Sequence, residues 1–192
     1  MRAKILRMTA AALMALVLAG CLSEHPVGKP DPQSNESRLL GKWRSEDKDF
    51  PPFDQGRSVW MVEAIDDGTL TIERQNRKGQ VQEGSRPTMA HVTRLASGNY
   101  LNLQVEAREY LIARYALDGG DRLSLQFVDG NSLTNAIDEQ ALPGVLRKEG
   151  SKMVPYVTAT PEQWQAFLET APPDLFGKTL TFVRPEPDTT VE

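Results

Sequence analysis

Few residues of this chain are of types, and at spacings, that could do chemistry. Cys21 is the single cysteine, and the only histidines are His25 and His91. A histidine-based catalytic relay or a metal site therefore has too few members. No glycine-rich phosphate loop follows a predicted strand, and the spacing of the 26 acidic residues selects no catalytic pair. We expect no enzymatic activity, no cofactor and no metal.

The thiol of Cys21 is the one nucleophile whose surroundings carry a signal. The first seven residues include three basic ones, and residues 8–18 are apolar except for Thr9. A charged segment, a short apolar run and small residues before a cleavage site are typical of a signal peptide. As a helix the apolar run would rise only ~16 Å, about half of a bilayer's hydrocarbon core, so it is too short to span a membrane.

The four residues Leu18-Ala19-Gly20-Cys21 resemble the lipobox of bacterial lipoproteins. This resemblance implies that residues 1–20 are a signal peptide, that the Cys21 thiol carries a diacylglycerol, and that the chain is cut before Cys21. Several acyl chains anchor a protein durably where one holds weakly. Leu22, in place of an aspartate, implies sorting to the outer membrane, with the protein facing the periplasm. The membrane is thus the first expected partner.

Charge and cysteine content limit the remaining classes. Removal of the three basic residues of the signal peptide changes the formal charge from −4 to −7. This balance excludes the basic footprint of a nucleic-acid-binding protein. With Cys21 acylated, the domain has no disulfide, so its stability must come from its core.

The mature chain divides into three parts. Residues 21–38 hold the lipidated cysteine and a segment rich in proline and polar residues, which predicts a flexible tether. Residues 39–184 have the length and apolar content of one domain. Residues 185–192 are a polar tail.

Strand patterns dominate the domain. Residues 39–45 begin it, residues 58–65 and 69–73 predict a hairpin around Asp67-Gly68, and residues 88–96 predict a further strand. Three clean alternating strands follow and predict an antiparallel meander. Their apolar faces hold Leu101, Leu103 and Val105, then Leu111, Ala113, Tyr115 and Leu117, then Leu123, Leu125 and Phe127, with Asn102 on the polar face.

Two helices and two strands are predicted after the meander. A short helix covers residues 131–142 and ends at Pro143-Gly144. Residues 153–158 predict a strand. Thr160 can cap a second helix, in which Pro161 suits the first position and Gln163 completes a capping box. Residues 178–184 form the last strand.

This order of elements favours a mainly β, antiparallel meander barrel of about eight or nine strands with one or two short late helices. With Gly41-x-Trp43 on the first strand, a long first loop and a helix before the last strand, it resembles a lipocalin or, more loosely, a calycin. The resemblance implies a barrel that can hold a small apolar ligand. We identify no late arginine as the partner that it implies for Trp43.

Aromatic residues are the candidate ligand contacts. Trp43, Trp60 and Tyr115 lie on predicted strands, and Phe50 and Phe53 lie in the first loop, which overhangs the barrel mouth in lipocalins. The alternative for the strand residues is plain core packing, because an eight-stranded barrel is just wide enough to be filled by its own side chains.

Three functional hypotheses follow. The first is a lipid-anchored periplasmic binding or accessory protein, which holds a small apolar ligand or presents a surface to an envelope component. The second is a protein-binding module with a solid barrel, such as an inhibitor or accessory subunit of an envelope enzyme. The third is an enzyme with an unrecognised carboxylate pair.

Overall fold

A computed structural model describes residues 21–30, 37–47, 59–65, 68–76, 79–81 and 86–185. The predicted signal peptide and all but the first residue of the tail lie outside this range. The strands are β1 (Leu22–Ser23), β2 (Gly41–Ser45), β3 (Val59–Ala64), β4 (Thr69–Gln75), β5 (Thr88–Leu95), β6 (Gly98–Glu106), β7 (Glu109–Asp118), β8 (Arg122–Val128), β9 (Gly144–Glu149), β10 (Lys152–Val157) and β11 (Phe176–Val183). The α-helices are α1 (Gly130–Asp138) and α2 (Pro161–Thr170).

Eight strands close into an antiparallel barrel. Strands β2 to β8 follow one another as a meander, β6 pairs with β7, and β11 fits between β8 and β2. The β11–β2 seam is short, with Phe182 opposite Ser45 and Val183 opposite Arg44. The predicted mainly β meander barrel with two helices is therefore confirmed. The hairpin predicted around Asp67-Gly68 is also present, as β3 paired with β4.

Side chains fill the barrel. One continuous cluster of buried apolar residues runs through it, and a short 3-10 turn, Ser37–Leu39, places the buried Leu39 side chain against that cluster. Several large members are at most 3% exposed: Trp43, Trp60, Phe182, Leu70, Leu123, Leu125 and Leu180. The alternating pattern of the meander produces this core, because every second residue of a strand points to the same face.

A second core lies between the outside of the barrel and the two helices. It joins Tyr100 and Ile112, on the faces of β6 and β7 opposite the barrel core, to Leu133 of α1 and Trp164 of α2. Strand β6 is consequently buried on both faces over Tyr100 to Leu103. Asn102, expected on a wet face, is fully buried for this reason.

The N-terminal segment is docked on the domain, so the prediction of a flexible tether is wrong for residues 22–30. Strand β1 pairs in parallel with β10 and antiparallel with β7, and thereby joins the β9–β10 hairpin to the barrel wall. The amide of Val27 donates to Asn102 Oδ1 at 2.8 Å, and Trp164 Nε1 donates to Ser23 Oγ at 2.8 Å. Long-range hydrogen bonds and the burial of Val27 order a segment whose composition alone favours an extended chain.

The late elements differ in extent from their predictions. Helix α1 ends at Asp138, four residues before the predicted end, and Glu139 and Gln140 form its C-terminal turn. Strand β9 was not predicted, because its sequence Gly-Val-Leu-Arg-Lys-Glu lacks a clear alternation. Helix α2 begins as predicted, with the expected capping box. Thr160 Oγ1 accepts a hydrogen bond from the Gln163 backbone amide, and Gln163 Oε1 accepts one from the Thr160 backbone amide.

Candidate functional site

A pocket of about 730 Å³ lies outside the barrel, in a cleft between α1 and α2. Both helices are fixed by their N-terminal caps. Asp129 accepts from the amides of Asn131 and Ser132, each at 3.0 Å, and the capping box holds the start of α2. Ser132 Oγ also donates to the Asp174 carbonyl at 2.9 Å, which ties α1 to the chain that follows α2. The walls of this α1–α2 cleft are therefore well anchored.

The α1–α2 cleft is lined by apolar side chains at its base and by polar side chains at its rim. Ala136, Phe167 and Leu175 supply apolar surface. The polar lining residues are Ser132, Asn135, Glu139, Gln140, Gln163, Thr170 and Asp174. Two of these are carboxylates, and none of the residues that line the cleft is basic. A surface of this kind suits a partner that brings apolar groups flanked by hydrogen-bond donors.

Gln140 marks one edge of the α1–α2 cleft with an unusual backbone. It is the one non-glycine residue of the described chain with positive φ, at 58°. This left-handed conformation lets the chain reverse after α1, and it costs a residue with a β-carbon about 1 kcal/mol or more. The amides of Ala141 and Leu142 then both donate to the Ala136 carbonyl, which holds the reversal in place.

The three predicted strand aromatics lie together in the barrel core and away from the cleft. Trp43 is opposite Trp60 in the β2–β3 pair, and Trp60 packs against Phe182 with a centroid distance of 4.6 Å. Tyr115 is in the same core and is 4% exposed. Their roles as ligand contacts stay predictions. Phe50 and Phe53 lie outside the described residues.

An arginine does pair with Trp43, although the sequence alone identifies no late arginine for this role. The guanidinium carbon of Arg184 lies 3.9 Å from the Trp43 ring centroid. Arg184 also donates to the carbonyls of Leu40 at 2.6 Å and Arg38 at 2.7 Å. The indole of Trp43 donates to the Leu39 carbonyl at 2.6 Å. These contacts close one end of the barrel, which we call the closed end.

Gly41 makes this closure possible. Its φ is +99°, and a β-carbon built on it would lie 2.9 Å from Arg184 Nη1. Glycine at this position therefore serves two purposes: it adopts a backbone conformation that other residues avoid, and it leaves room for the guanidinium. The Gly-x-Trp pattern is thus explained by a contact with the last strand's end.

Asp47 fixes the start of the first loop to β11. Its carboxylate accepts from the Thr181 amide at 2.9 Å and pairs with Lys178 at 2.9 Å. The hydrogen bond from the Thr181 amide, helped by Lys178, lowers the pKa of Asp47. The described chain that ends at Asp47 is therefore held against β11.

Cys21 directly precedes β1, and its side chain is buried against the start of α1. The residue is 8% exposed, and its sulfur lies 3.4 Å from the position that a β-carbon on Gly130 would take. Burial, together with the negative charge of Asp129, raises the pKa of the Cys21 thiol to about 12. In this place the thiol is a poor nucleophile, because the thiolate is the reactive form. Acylation would need the side chain turned out of the second core.

Comparison with known proteins adds no assignment. No family model, no curated protein and no solved structure matches the chain. Within the described residues, no cluster of three or more potential metal ligands is present. The helices in the described part of the chain are all too short or too polar to cross a bilayer.

Proposed function

We propose that the protein is a lipid-anchored accessory protein of a bacterial cell envelope, which acts by binding another envelope protein on the outside of its barrel. Acyl chains on Cys21 hold it in the outer membrane, where it faces the periplasm. The lipobox-like residues that precede Cys21 support the anchor, and Leu22 supports the outer-membrane location.

The packed barrel interior is the observation that favours protein binding over ligand storage. Trp43, Trp60 and Phe182 occupy the space that an apolar ligand would need, and each is at most 3% exposed. Opening a cavity there would cost several kcal/mol of lost packing, since removal of one large buried side chain costs about 3–5 kcal/mol. The packed interior therefore favours the second hypothesis, a protein-binding module with a solid barrel.

The α1–α2 cleft is the surface that we assign to the partner. It is concave, it is framed by capped helices, and it combines the apolar side chain of Phe167 with a rim of hydrogen-bonding groups. Glu139 and Asp174 give the rim a negative sign, which favours a partner with basic side chains. An inhibitor or an accessory subunit of an envelope enzyme would use such a surface.

Site-specific photocrosslinking in the native host tests this assignment. A photoreactive residue at Gln140 should give a discrete protein adduct, and Ala166→Trp should abolish it by filling the cleft. The matched control is Ala107→Trp, in the exposed β6–β7 turn, which should leave the adduct unchanged. Absence of an adduct from the cleft, or one that survives Ala166→Trp, would contradict the proposal.

A further inference from the structure

The parallel pairing of β1 with β10 fixes which way the β9–β10 hairpin points. Leu22 is opposite Tyr156 and Ser23 is opposite Val157, so both strands run in the same direction. The turn of the hairpin precedes β10 in the chain, as Cys21 precedes β1. The hairpin turn and the incoming chain therefore lie toward the same side of the domain.

The register also sets how far the hairpin reaches. Lys152, opposite Glu149 at the last pair before the turn, is four residues before Tyr156. At ~3.3 Å per strand residue it projects about 13 Å beyond the level of Leu22, and roughly 10 Å beyond that of Cys21. With residues 22–30 docked on the barrel, no slack chain separates an anchor at Cys21 from this sheet.

The exposed side chains of the hairpin suit the boundary between water and an anionic lipid. Met153 is 56% exposed and lies opposite Lys148, so both project from the same face. Residues 144–157 carry three basic residues and one acidic residue, in a chain whose formal charge is −4. Arg147 is paired with Glu109 at 3.2 Å. Lys148 and Lys152 are both exposed beside the turn, on opposite faces of the hairpin, because Lys152 lies opposite Glu149. Lysine stems can cover apolar surface while their ammonium groups reach lipid phosphates.

We propose that the β9–β10 hairpin lies against the headgroups of the anchoring membrane, with Met153 at the interface and Lys148 and Lys152 on anionic lipid phosphates. This inference rests on the proposed acylation of Cys21. It gives the domain a fixed orientation. The hairpin turn is next to the bilayer, and the β6–β7 turn at Ala107 and Arg108, which lies at the opposite end of β7, faces the periplasm.

Environment-sensitive labelling of the acylated protein tests the contact. With the sulfur of Cys21 acylated, Ser151→Cys in the hairpin turn supplies the single reactive thiol, and Ala107→Cys supplies the matched control at the other end. Each labelled protein is reconstituted in phosphatidylglycerol vesicles that contain a doxyl-lipid quencher. The fluorescence emission of the label at position 151 should shift to the blue and be quenched by the doxyl lipid. The emission of the label at position 107 should show neither change.

Charge reversal then tests the lysines. Lys148→Glu with Lys152→Glu should lower the ratio of contacting to free hairpins by more than about thirtyfold, because the loss of each positive charge alone accounts for about fivefold. The control pair Arg86→Glu and Arg108→Glu changes charge by the same amount on exposed residues at the other end of the barrel and should have no effect. Unchanged tryptophan emission of each variant checks that it has folded.

The outcomes separate this inference from the proposed function. If the intact mass of the purified protein lacks acyl groups, both the anchor and this orientation are overturned. If acyl groups are present but positions 151 and 107 respond alike, only the hairpin contact is overturned. A shift at position 151 that follows protein concentration and ignores lipid charge would instead indicate a second copy of the chain, and would also overturn the lipid contact.

Discussion

Arg184 lies across the ring of Trp43, with its guanidinium carbon 3.9 Å from the ring centroid, and so joins the end of the last barrel strand to the first. The same guanidinium donates to two backbone carbonyls just before β2. The β11–β2 seam has only two residue pairs, and this cluster adds to the hydrogen bonds that Glu46 and Asp47 make with Thr181 across it. Two predictions follow from it.

Arg184→Ala should lower the free energy of unfolding by about 2 kcal/mol, since it removes a cation–π contact and the part-buried hydrogen bond to Leu40, while water can reach the Arg38 carbonyl. Arg184→Lys should recover less than half of this loss, because one ammonium cannot reproduce the planar fork. Urea denaturation measures both. Arg122→Ala is the control: its ion pair with Glu46 is about half exposed and should contribute no more than about 1 kcal/mol.

Gly41→Ala should destabilise the protein more than Gly120→Ala, although both glycines have positive φ, +99° and +94°. Each substitution pays about 1–2 kcal/mol for the left-handed backbone. The new β-carbon at position 41 would also lie 2.9 Å from Arg184 Nη1, whereas a β-carbon at position 120 would meet no atom outside its chain neighbours within 4 Å. Equal losses in thermal or urea unfolding would mean that Arg184 does not need the space at Gly41.

Asn102 should be essential for docking of the N-terminal segment. Its amide accepts from Val27 and donates to Thr93 Oγ1 at 3.0 Å and to the His91 carbonyl at 3.3 Å, all away from water. Asn102→Ala leaves these groups without partners and should cost about 1–3 kcal/mol for each group that water cannot reach. Hydrogen exchange at the Val27 amide should accelerate. The control, Gln104→Ala on the same strand, removes only an exposed bond and should leave that exchange rate unchanged.

His91 should make the domain sensitive to mild acid. Burial lowers the pKa of His91 below its ordinary value of 6.5, while Nε2 is hydrogen bonded to the Gly28 carbonyl at 2.7 Å. The unfolded chain therefore binds the proton more readily than the folded one does. The stability contributed by neutral His91 is complete above pH 6.5 and falls as the pH drops toward the folded-state pKa. Urea midpoints should decline from about pH 7 to about pH 5, and His91→Gln should flatten this decline. An identical pH profile in the variant would exclude His91 as the cause.

The Cys21 thiol of unacylated protein, made without residues 1–20, should react slowly. A thiol pKa of about 12 leaves very little thiolate at pH 8, so reaction with an aromatic disulfide reagent should be on the order of a thousandfold slower than for a free cysteine. Denaturant should restore the ordinary rate. Rapid reaction in the native protein would show that Cys21 is outside the second core.

The sequence predicts the barrel strands well. It does not predict which distant parts of the chain pack against them, namely the docked N-terminal segment and Arg184. Leu101 and Leu103 alternate with polar residues, and that local pattern identifies a strand with one buried face. Nothing local indicates that Asn102 is also covered, because its cover is the segment around Val27, far away in the chain. The contact between Arg184 and Trp43 is hidden in the same way, since an arginine near the end of a strand is typical of an exposed residue.

The sequence does not indicate the α1–α2 cleft, for a related reason. Thr160 and Gln163 predict the start of α2 correctly, and the residues of α1 are visible in the sequence as a helix. Their positions on the two sides of the cleft depend on the second core, to which both helices contribute together with β6, β7 and the docked N-terminal segment. The strand aromatics that the sequence predicts as ligand contacts, Trp43, Trp60 and Tyr115, lie in the barrel core and away from the cleft.

Native mass spectrometry of the protein extracted from its own membrane tests the central claim most directly. The account predicts the mass of residues 21–192 plus covalent acyl groups on Cys21, with no further small molecule retained by the barrel. A sulfur without acyl mass, or an apolar ligand that stays bound until the barrel unfolds, would contradict an anchored protein that works through its outer surface.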